Sequence, residues 1–149
     1  MLSAHVVYAT ITGNNEDVAD IITEHFEDSG LDVTESEISQ TDPESFKDVD
    51  ICVVCPYTYD EGALPEEGLD FFDDLADVDL SNKIYGVAGS GDVFYEEYYN
   101  LAVEKFDKQF AKTGATKGAE DVKINLDPDE DDIKKLDAFA EELIKKAAK

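Results

Sequence analysis

The sequence contains no arginine and no tryptophan, and its 149 residues include only two cysteines and four prolines. All twelve positive side chains are lysines, and they face 37 acidic residues, so the formal net charge is −25. A chain with this balance has no electrostatic hold on nucleic acid phosphates or on an anionic membrane surface. We therefore expect no nucleic acid partner, and a partner of basic character is favoured.

The chain also lacks long hydrophobic runs. No apolar stretch approaches the ~18 residues of a membrane span, and no basic region precedes an apolar segment at the N-terminus. We expect a cytoplasmic protein that does not enter membranes. Cys52 and Cys55 are three apart in one apolar run, so on a strand they point to opposite faces and cannot pair. Without a Cys/His cluster, no metal site is predicted.

The charge is unevenly distributed along the chain. Residues 1–82 carry 22 acidic residues and one lysine, Lys47, whereas residues 83–149 carry 15 acidic residues and 11 lysines. One face or end should therefore be strongly anionic. Two interpretations stay open: a solvated surface suited to a salty cytoplasm, or a docking surface for basic partners.

Apolar runs alternate with segments of helical periodicity, which predicts one α/β domain over residues 1–149. Parallel strands need crossover helices, so the pattern indicates a five-stranded, doubly wound parallel sheet with helices on both faces. The last helix is expected to begin at Asp127 as N-cap, with Pro128 in its first turn and Ile133 on its buried stripe. The predicted strands are 4–9, 31–38, 51–55, 84–88 and 122–126, and the predicted helices are 15–29, 64–75, about 96–112 and one from 127 onward.

Ligands of such sheets bind at the carboxyl ends of the strands, so the loops after residues 9, 56 and 88 are the candidates. The first is Thr10-Ile11-Thr12-Gly13-Asn14-Asn15. Its hydroxyl, amide and backbone N–H donors converge on a helix start, which is typical of a phosphate cradle. It has neither the lysine of a P-loop nor the glycine spacing of a dinucleotide fold. An ordinary capped helix start is the structural alternative.

The loops after the third and fourth strands each contain a tyrosine beside polar or flexible backbone. They read Pro56-Tyr57-Thr58-Tyr59-Asp60-Glu61-Gly62-Ala63-Leu64-Pro65 and Gly89-Ser90-Gly91-Asp92-Val93-Phe94-Tyr95. Two aromatic rings over one crevice, with a phosphate site between them, can stack on a planar heterocycle. The alternative is that these tyrosines only cover the core.

Taken in chain order, T-x-T-G-N-N, P-Y-T-Y-D-E-G-A-L-P and G-S-G-D-V-F-Y resemble the loops of the flavodoxins, small FMN-carrying electron-transfer proteins. The resemblance covers nearly the whole chain, and the absence of a long insertion in the fifth strand is similar to the short-chain subgroup. It implies the flavodoxin-like strand order 2-1-3-4-5, FMN as cofactor, and a monomer.

The resemblance also implies which residues contact FMN. The first loop would hold the phosphate, Tyr59 and Tyr95 would cover the two flavin faces, and Asp92 with the backbone of Gly89 to Gly91 would meet the pyrimidine edge. Tyr57 stands where relatives often have serine. The implied set is Thr10, Ile11, Thr12, Gly13, Asn14, Asn15, Tyr57, Thr58, Tyr59, Asp60, Gly89, Ser90, Gly91, Asp92 and Tyr95.

Residue 60 is an aspartate where flavodoxins usually have glycine. A residue with a side chain is disfavoured at φ > 0, so we expect the one-electron-reduced flavin to be less stabilised than in glycine-bearing relatives. The surrounding negative charge should disfavour full reduction and give a low-potential couple. The resemblance thus implies a carrier, and not an enzyme, that shuttles single electrons between a reductase and an acceptor with basic faces.

Other functions on related scaffolds are the alternatives to this prediction. A receiver domain needs an acidic cluster after the first strand and an aspartate at the end of the third, where this chain has threonines and Cys55-Pro56-Tyr57. A flavodoxin-like activator of ribonucleotide reductase would differ only in its partner. A flavin-dependent quinone reductase usually has a longer chain, and a non-redox module that binds a phosphorylated ligand would be colourless.

Overall fold

A computed structural model describes residues 2–9, 14–56, 69–91, 101–125 and 128–148. The strands are β1 (Ser3–Tyr8), β2 (Asp32–Glu37), β3 (Ile51–Cys55), β4 (Ile84–Gly91), β5 (Thr116–Lys117) and β6 (Val122–Asn125). The helices are α1 (Asn14–Asp28), α2 (Leu69–Leu75), α3 (Leu101–Lys112) and α4 (Glu130–Ala147), with 3₁₀ segments at Ile38–Gln40 and Pro43–Asp48.

The strands form one parallel sheet in the order β2-β1-β3-β4-β5, with β6 also paired to β4. This confirms the predicted order 2-1-3-4-5. The run Ile51–Cys55 is buried at every position, as expected for a central strand covered on both faces. At the outer edge, β2 alternates between exposed and partly buried residues.

Helices cover both faces of the sheet. On one face α1 and α4 pack over β1, β3 and β4, and Phe26 and Leu143 are fully buried there. On the other face the second 3₁₀ segment, α2 and α3 contribute an aromatic cluster, in which Phe46 and Phe71 form a T-shaped, edge-to-face pair at a centroid distance of 5.8 Å. The doubly wound architecture predicted from the sequence is therefore confirmed.

The fifth position of the sheet is occupied by two short strands instead of one. β5 pairs with Ile84 and Tyr85, β6 pairs with residues 88–91 of β4, and the segment Gly118–Asp121 interrupts them. The prediction of a single strand over residues 122–126 therefore matches β6 and does not include β5. Thr116 and Lys117 are both exposed, so they carry no apolar signal for a strand. The interruption is short, in agreement with the expected lack of a long insertion.

The start of α4 differs from the prediction. Its N-cap is Asp129, not Asp127: the Asp129 carboxylate accepts from the Asp132 backbone N–H at 2.9 Å, and the Asp132 carboxylate accepts from the Asp129 N–H at 3.2 Å. This capping box satisfies two amide groups reciprocally and places the start of the helix at Asp129. Ile133 is 39% exposed and was wrongly assigned to the buried stripe, whereas Phe139 is buried.

Candidate functional site

Strands β1 and β3 end together at the carboxyl edge of the sheet. Tyr8 is paired with Cys55, and the backbone N–H of Ala9 donates to the Cys55 carbonyl at 3.0 Å. Because β1 lies between β2 and β3, the strand order reverses at this point. The end of β1 is therefore the topological switch point, where open α/β sheets bind their ligands.

Strand β4 extends past β3 at the same edge. The pairs with β3 reach Val54–Val87, but β4 continues to Gly91. Gly89, Ser90 and Gly91 were predicted to lie in a loop; they are strand residues instead, because they pair with Lys123, Ile124 and Asn125 of β6. Their backbone projects beyond the β3 ladder, next to the residue that follows β3, Pro56.

Gly89 is required by close packing at this edge. A Cβ atom at residue 89 would collide with the Pro56 carbonyl oxygen and lie 2.9 Å from Cγ2 of Val103 on α3. Only a glycine lets the ends of β3 and β4 approach one another while α3 packs against them. The structure thus explains why residue 89, one of the predicted FMN-contact residues, is a glycine.

Helix α1 begins directly after the first candidate loop. Asn14 and Asn15 lie in its first turn, so two of the predicted phosphate-binding residues are at a helix N-terminus below the end of β1. Their role as phosphate ligands stays a prediction. Glu16 follows, and its carboxylate accepts from the Tyr8 hydroxyl at 2.9 Å, which ties the first turn of α1 to β1.

Most of the predicted contact residues lie outside the described residues. These are Thr10, Ile11, Thr12, Gly13, Tyr57, Thr58, Tyr59, Asp60, Asp92 and Tyr95. Their assignment stays a prediction from the resemblance. The described residues define the frame around them: the ends of β1, β3 and β4 and the first turn of α1.

Beside this frame, α1 and β2 carry an acidic cluster that consists of Glu16, Asp20, Glu35 and Glu37. Burial, followed by a hydrogen bond with Asp20, raises the pKa of Glu35 to about 7. The hydrogen bond with Glu16 is the main cause that raises the pKa of Tyr8 to about 12. The four-residue spacing of Glu16 and Asp20 and the alternation of Glu35 and Glu37 were the signals that could have revealed it.

Both histidines are bound by other side chains. His5 Nε2 is 2.8 Å from the Ser36 hydroxyl and its Nδ1 is 3.3 Å from that of Ser45. His25, on α1, contacts Glu141 of α4 at 3.0 Å and Asp137 at 3.5 Å. These contacts hold both imidazole rings within the fold.

Among the described residues, no three His, Cys, Asp or Glu side chains are grouped so that they could hold a metal ion. None of the helices in that part of the chain has the length and apolar composition needed to cross a membrane. Cys52 and Cys55 are buried and form no disulfide there, and burial raises the pKa of both thiols. They are therefore poor nucleophiles at neutral pH.

Comparison with known proteins gives the family. The family model described as Flavodoxin matches residues 6–139. The chain belongs to the flavodoxin family. It is similar to Probable flavodoxin 1 of Bacillus subtilis (strain 168), with 33% identity over 141 residues that cover 94% of this chain and 89% of the relative.

Two solved flavodoxin structures are more similar. A short-chain flavodoxin associated with a non-canonical PDU bacterial microcompartment is 62% identical, with a TM-score of 0.97 over 99% of both chains. The flavodoxin of Streptococcus pneumonia TIGR4 is 49% identical, with a TM-score of 0.94 over 97% of this chain and 99% of that one. The family predicted from the three loops is confirmed.

Flavodoxins are electron-transfer proteins, and FMN is the cofactor that membership of this family assigns. The described frame fits that group. The first turn of α1 provides backbone N–H donors for a phosphate, and the backbone of Gly89–Gly91 projects past β3 at the same edge of the sheet.

Proposed function

We propose that this chain binds FMN non-covalently at the edge formed by β1, β3, β4 and α1, and carries single electrons between a reductase and acceptor proteins. The observation that supports it best is the projection of β4 past β3 at the switch point, with Gly89 packed on Pro56. Bound FMN supplies the redox chemistry, because it accepts and releases electrons singly. We further propose that the protein acts in the cytoplasm, as a monomer and without a catalytic reaction of its own.

The chain's own residues have three tasks in this proposal. The loop Thr10–Asn15 binds the phosphate with uncharged donors, Tyr59 and Tyr95 hold the flavin between them, and Asp92 with Gly89–Gly91 orients its pyrimidine edge. Thr58, Asp60 and Tyr57 complete the second loop. The cluster of Glu16, Asp20, Glu35 and Glu37 lies beside the proposed phosphate site and adds negative potential, which opposes the uptake of a second electron.

The charge distribution supports a basic partner. Two relatives that the chain matches over 19% and 20% of their length are a sulfite reductase [NADPH] flavoprotein alpha-component and an NADPH–cytochrome P450 reductase. A separate carrier must find its donor by diffusion, and a net charge of −25 accelerates encounters with basic proteins.

Titration of the apoprotein with FMN, followed by quenching of flavin fluorescence, tests the binding proposal. Gly89→Ala should weaken binding by about tenfold or more, because the added methyl group pushes β3 and β4 apart at the site. Gly86→Ala is the matched control, since it also causes overpacking in β4 but against Phe139, on the α4 face. Absence of quenching with the wild-type protein, or equal losses in both variants, would contradict the proposal.

A further inference from the structure

The third residue of a helix is the position from which an acidic side chain can fold back and accept from the backbone N–H of the N-cap residue. Helix α4 has this arrangement: the carboxylate of Asp132, its third residue, accepts from the Asp129 N–H at 3.2 Å. The third residue of α1 is Glu16. A carboxylate that folds back there would occupy an N–H group that the proposed function assigns to the FMN phosphate, and its charge would repel that phosphate.

The Glu16 carboxylate is bound by a donor from β1. The Tyr8 hydroxyl donates to Oε2 of Glu16 at 2.9 Å. The backbone of Tyr8 is fixed on both sides, because it is paired with Glu37 of β2 and with Cys55 of β3. The hydroxyl stays protonated at neutral pH, since the hydrogen bond with Glu16, burial and the nearby carboxylates raise the pKa of Tyr8 to about 12.

This hydrogen bond joins the two sides of the predicted phosphate loop. Residues 8 and 16 bracket the segment Thr10–Asn15, so the bond connects the strand before that loop to the helix after it. Glu37, the acidic neighbour of Tyr8 on β2, accepts from the Ser39 hydroxyl at 2.7 Å. The Tyr8 hydroxyl therefore serves the carboxylate at the helix start, while that of Glu37 has a donor of its own.

We propose that Tyr8 is a positioning residue for the phosphate of FMN: its hydroxyl holds the Glu16 carboxylate at the end of β1, so that this carboxylate does not fold back onto the N-cap N–H of α1. The N–H groups at the helix start then remain available to the phosphate, and a negative charge is kept from approaching it. This inference rests on the proposed function, because it concerns the same FMN phosphate.

The affinities for FMN and for riboflavin, which is FMN without its phosphate, test the role of Tyr8. Both flavins are titrated into the apoprotein and followed by quenching of flavin fluorescence. Tyr8→Phe removes only the hydroxyl and should weaken FMN binding by about tenfold, because the freed Glu16 carboxylate competes with the phosphate. Riboflavin affinity should change by less than about twofold, since riboflavin has no phosphate.

A rescue variant separates this role from a merely structural one. In Tyr8→Phe/Glu16→Ala the competing carboxylate is absent, so FMN affinity should return to within about twofold of wild type. Glu16→Ala alone should bind FMN at least as tightly as wild type. If the hydrogen bond acted only as a tie between β1 and α1, both variants would bind FMN as weakly as Tyr8→Phe, because both lack the bond.

His25→Gln is the matched control for a general loosening of α1. His25 lies near the other end of the helix and contacts Glu141 of α4 at 3.0 Å. Its replacement disturbs the packing of α1 but leaves Tyr8 and Glu16 in place. The ratio of FMN affinity to riboflavin affinity should therefore equal that of wild type.

The ³¹P chemical shift of bound FMN is a second readout that does not need riboflavin. It should change in Tyr8→Phe and return to the wild-type value in Tyr8→Phe/Glu16→Ala. An unchanged shift in Tyr8→Phe would overturn the inference, as would equal losses of FMN and riboflavin affinity or a double variant that is not rescued. In each of these cases wild-type binding of FMN, and with it the proposed function, still stands. Absence of FMN binding by the wild-type protein would instead reject both.

Discussion

The Nε2 atom of His5 lies 2.8 Å from the hydroxyl oxygen of Ser36, and this contact joins β1 to the edge strand β2. The Ser36 hydroxyl in turn lies 2.6 Å from that of Thr41, and the rings of His5 and Phe46 form a T-shaped, edge-to-face pair. A buried polar network of this kind stabilises the fold as long as the histidine is neutral.

The first prediction concerns acid stability. Burial lowers the pKa of His5, so the unfolded chain binds a proton below about pH 6.5 while the folded chain resists it. Stability contributed by neutral His5 is therefore lost as the pH falls below that value. A His5→Gln variant has no such pH-dependent loss. We therefore expect it to be less stable than wild type at about pH 7.5, and the difference in free energy of unfolding to decrease as the pH falls to about 5.5. Urea unfolding measures it, and a deficit that is the same at both pH values would contradict the role given to neutral His5.

The second prediction concerns Glu35, whose contribution to stability depends on pH in the opposite direction. The pKa of Glu35 is raised to about 7, so its contribution to stability is present at acid pH and is lost as the pH rises toward 7. Glu35→Gln should therefore be more stable than wild type at about pH 8, by about 1 kcal/mol after allowance for solvent screening, and nearly equal at about pH 5. Glu24→Gln, which removes an exposed carboxylate from the neighbouring helix α1, is the control variant.

The third prediction compares two residues of α4: one that is buried in the structure and one that was predicted to be buried but is exposed. Phe139 is 3% exposed and packs against Gly86, whereas Ile133 is 39% exposed. Phe139→Ala should lower the free energy of unfolding by about 3–5 kcal/mol, since it leaves a cavity in the core. Ile133→Ala should cost less than about 1 kcal/mol. Denaturant unfolding at one pH measures both, and equal losses would contradict the packing.

The fourth prediction concerns residue 60, which lies outside the described residues. If the FMN-loop assignment is right, Asp60→Gly should increase the maximum fraction of one-electron-reduced FMN in a redox titration, because glycine adopts φ > 0 without steric cost. Asp60→Ala is the matched control and should give no increase. Identical fractions in wild type and Asp60→Gly would reject the assignment.

The fifth prediction concerns electrostatic steering. The rate at which the reduced protein donates to cytochrome c, a basic haem protein, should fall as ionic strength rises from about 10 mM to about 300 mM. With ferricyanide, a small anion, the rate should rise over the same range because repulsion is screened. Stopped-flow absorbance measures both rates. If neither rate changes, the negative charge of the chain does not steer its partners.

The sequence predicted the elements that carry a strong apolar signal. Ile51–Cys55 was placed correctly because five buried residues in a row suit only a central strand. β5 was missed because two exposed polar residues pair with β4 without a pattern of their own. On α4, helical periodicity alone could not show that Phe139 packs where Gly86 leaves room, since that contact joins distant parts of the chain.

The site was predictable in outline for a related reason. Its position follows from strand order, and strand order follows from the alternation of helices and strands. The continuation of β4 through Gly91 could not be predicted, because it depends on pairing with β6. The contacts of Asp107 with Lys117 and Tyr85 likewise depend on tertiary packing, because residue types alone do not bring a helix and two strands together.

Strand β2 forms one border of the sheet, and a border strand presents unpaired peptide groups to which another sheet can add. Asp32, Glu35 and Glu37 stand along it, so a second copy approaching edge to edge would bring its own carboxylates against them. Repulsion between these carboxylates therefore opposes strand addition between molecules. Because Glu35 takes up a proton on acidification, this repulsion weakens at low pH. Self-association of the native protein should begin there before the fold is lost.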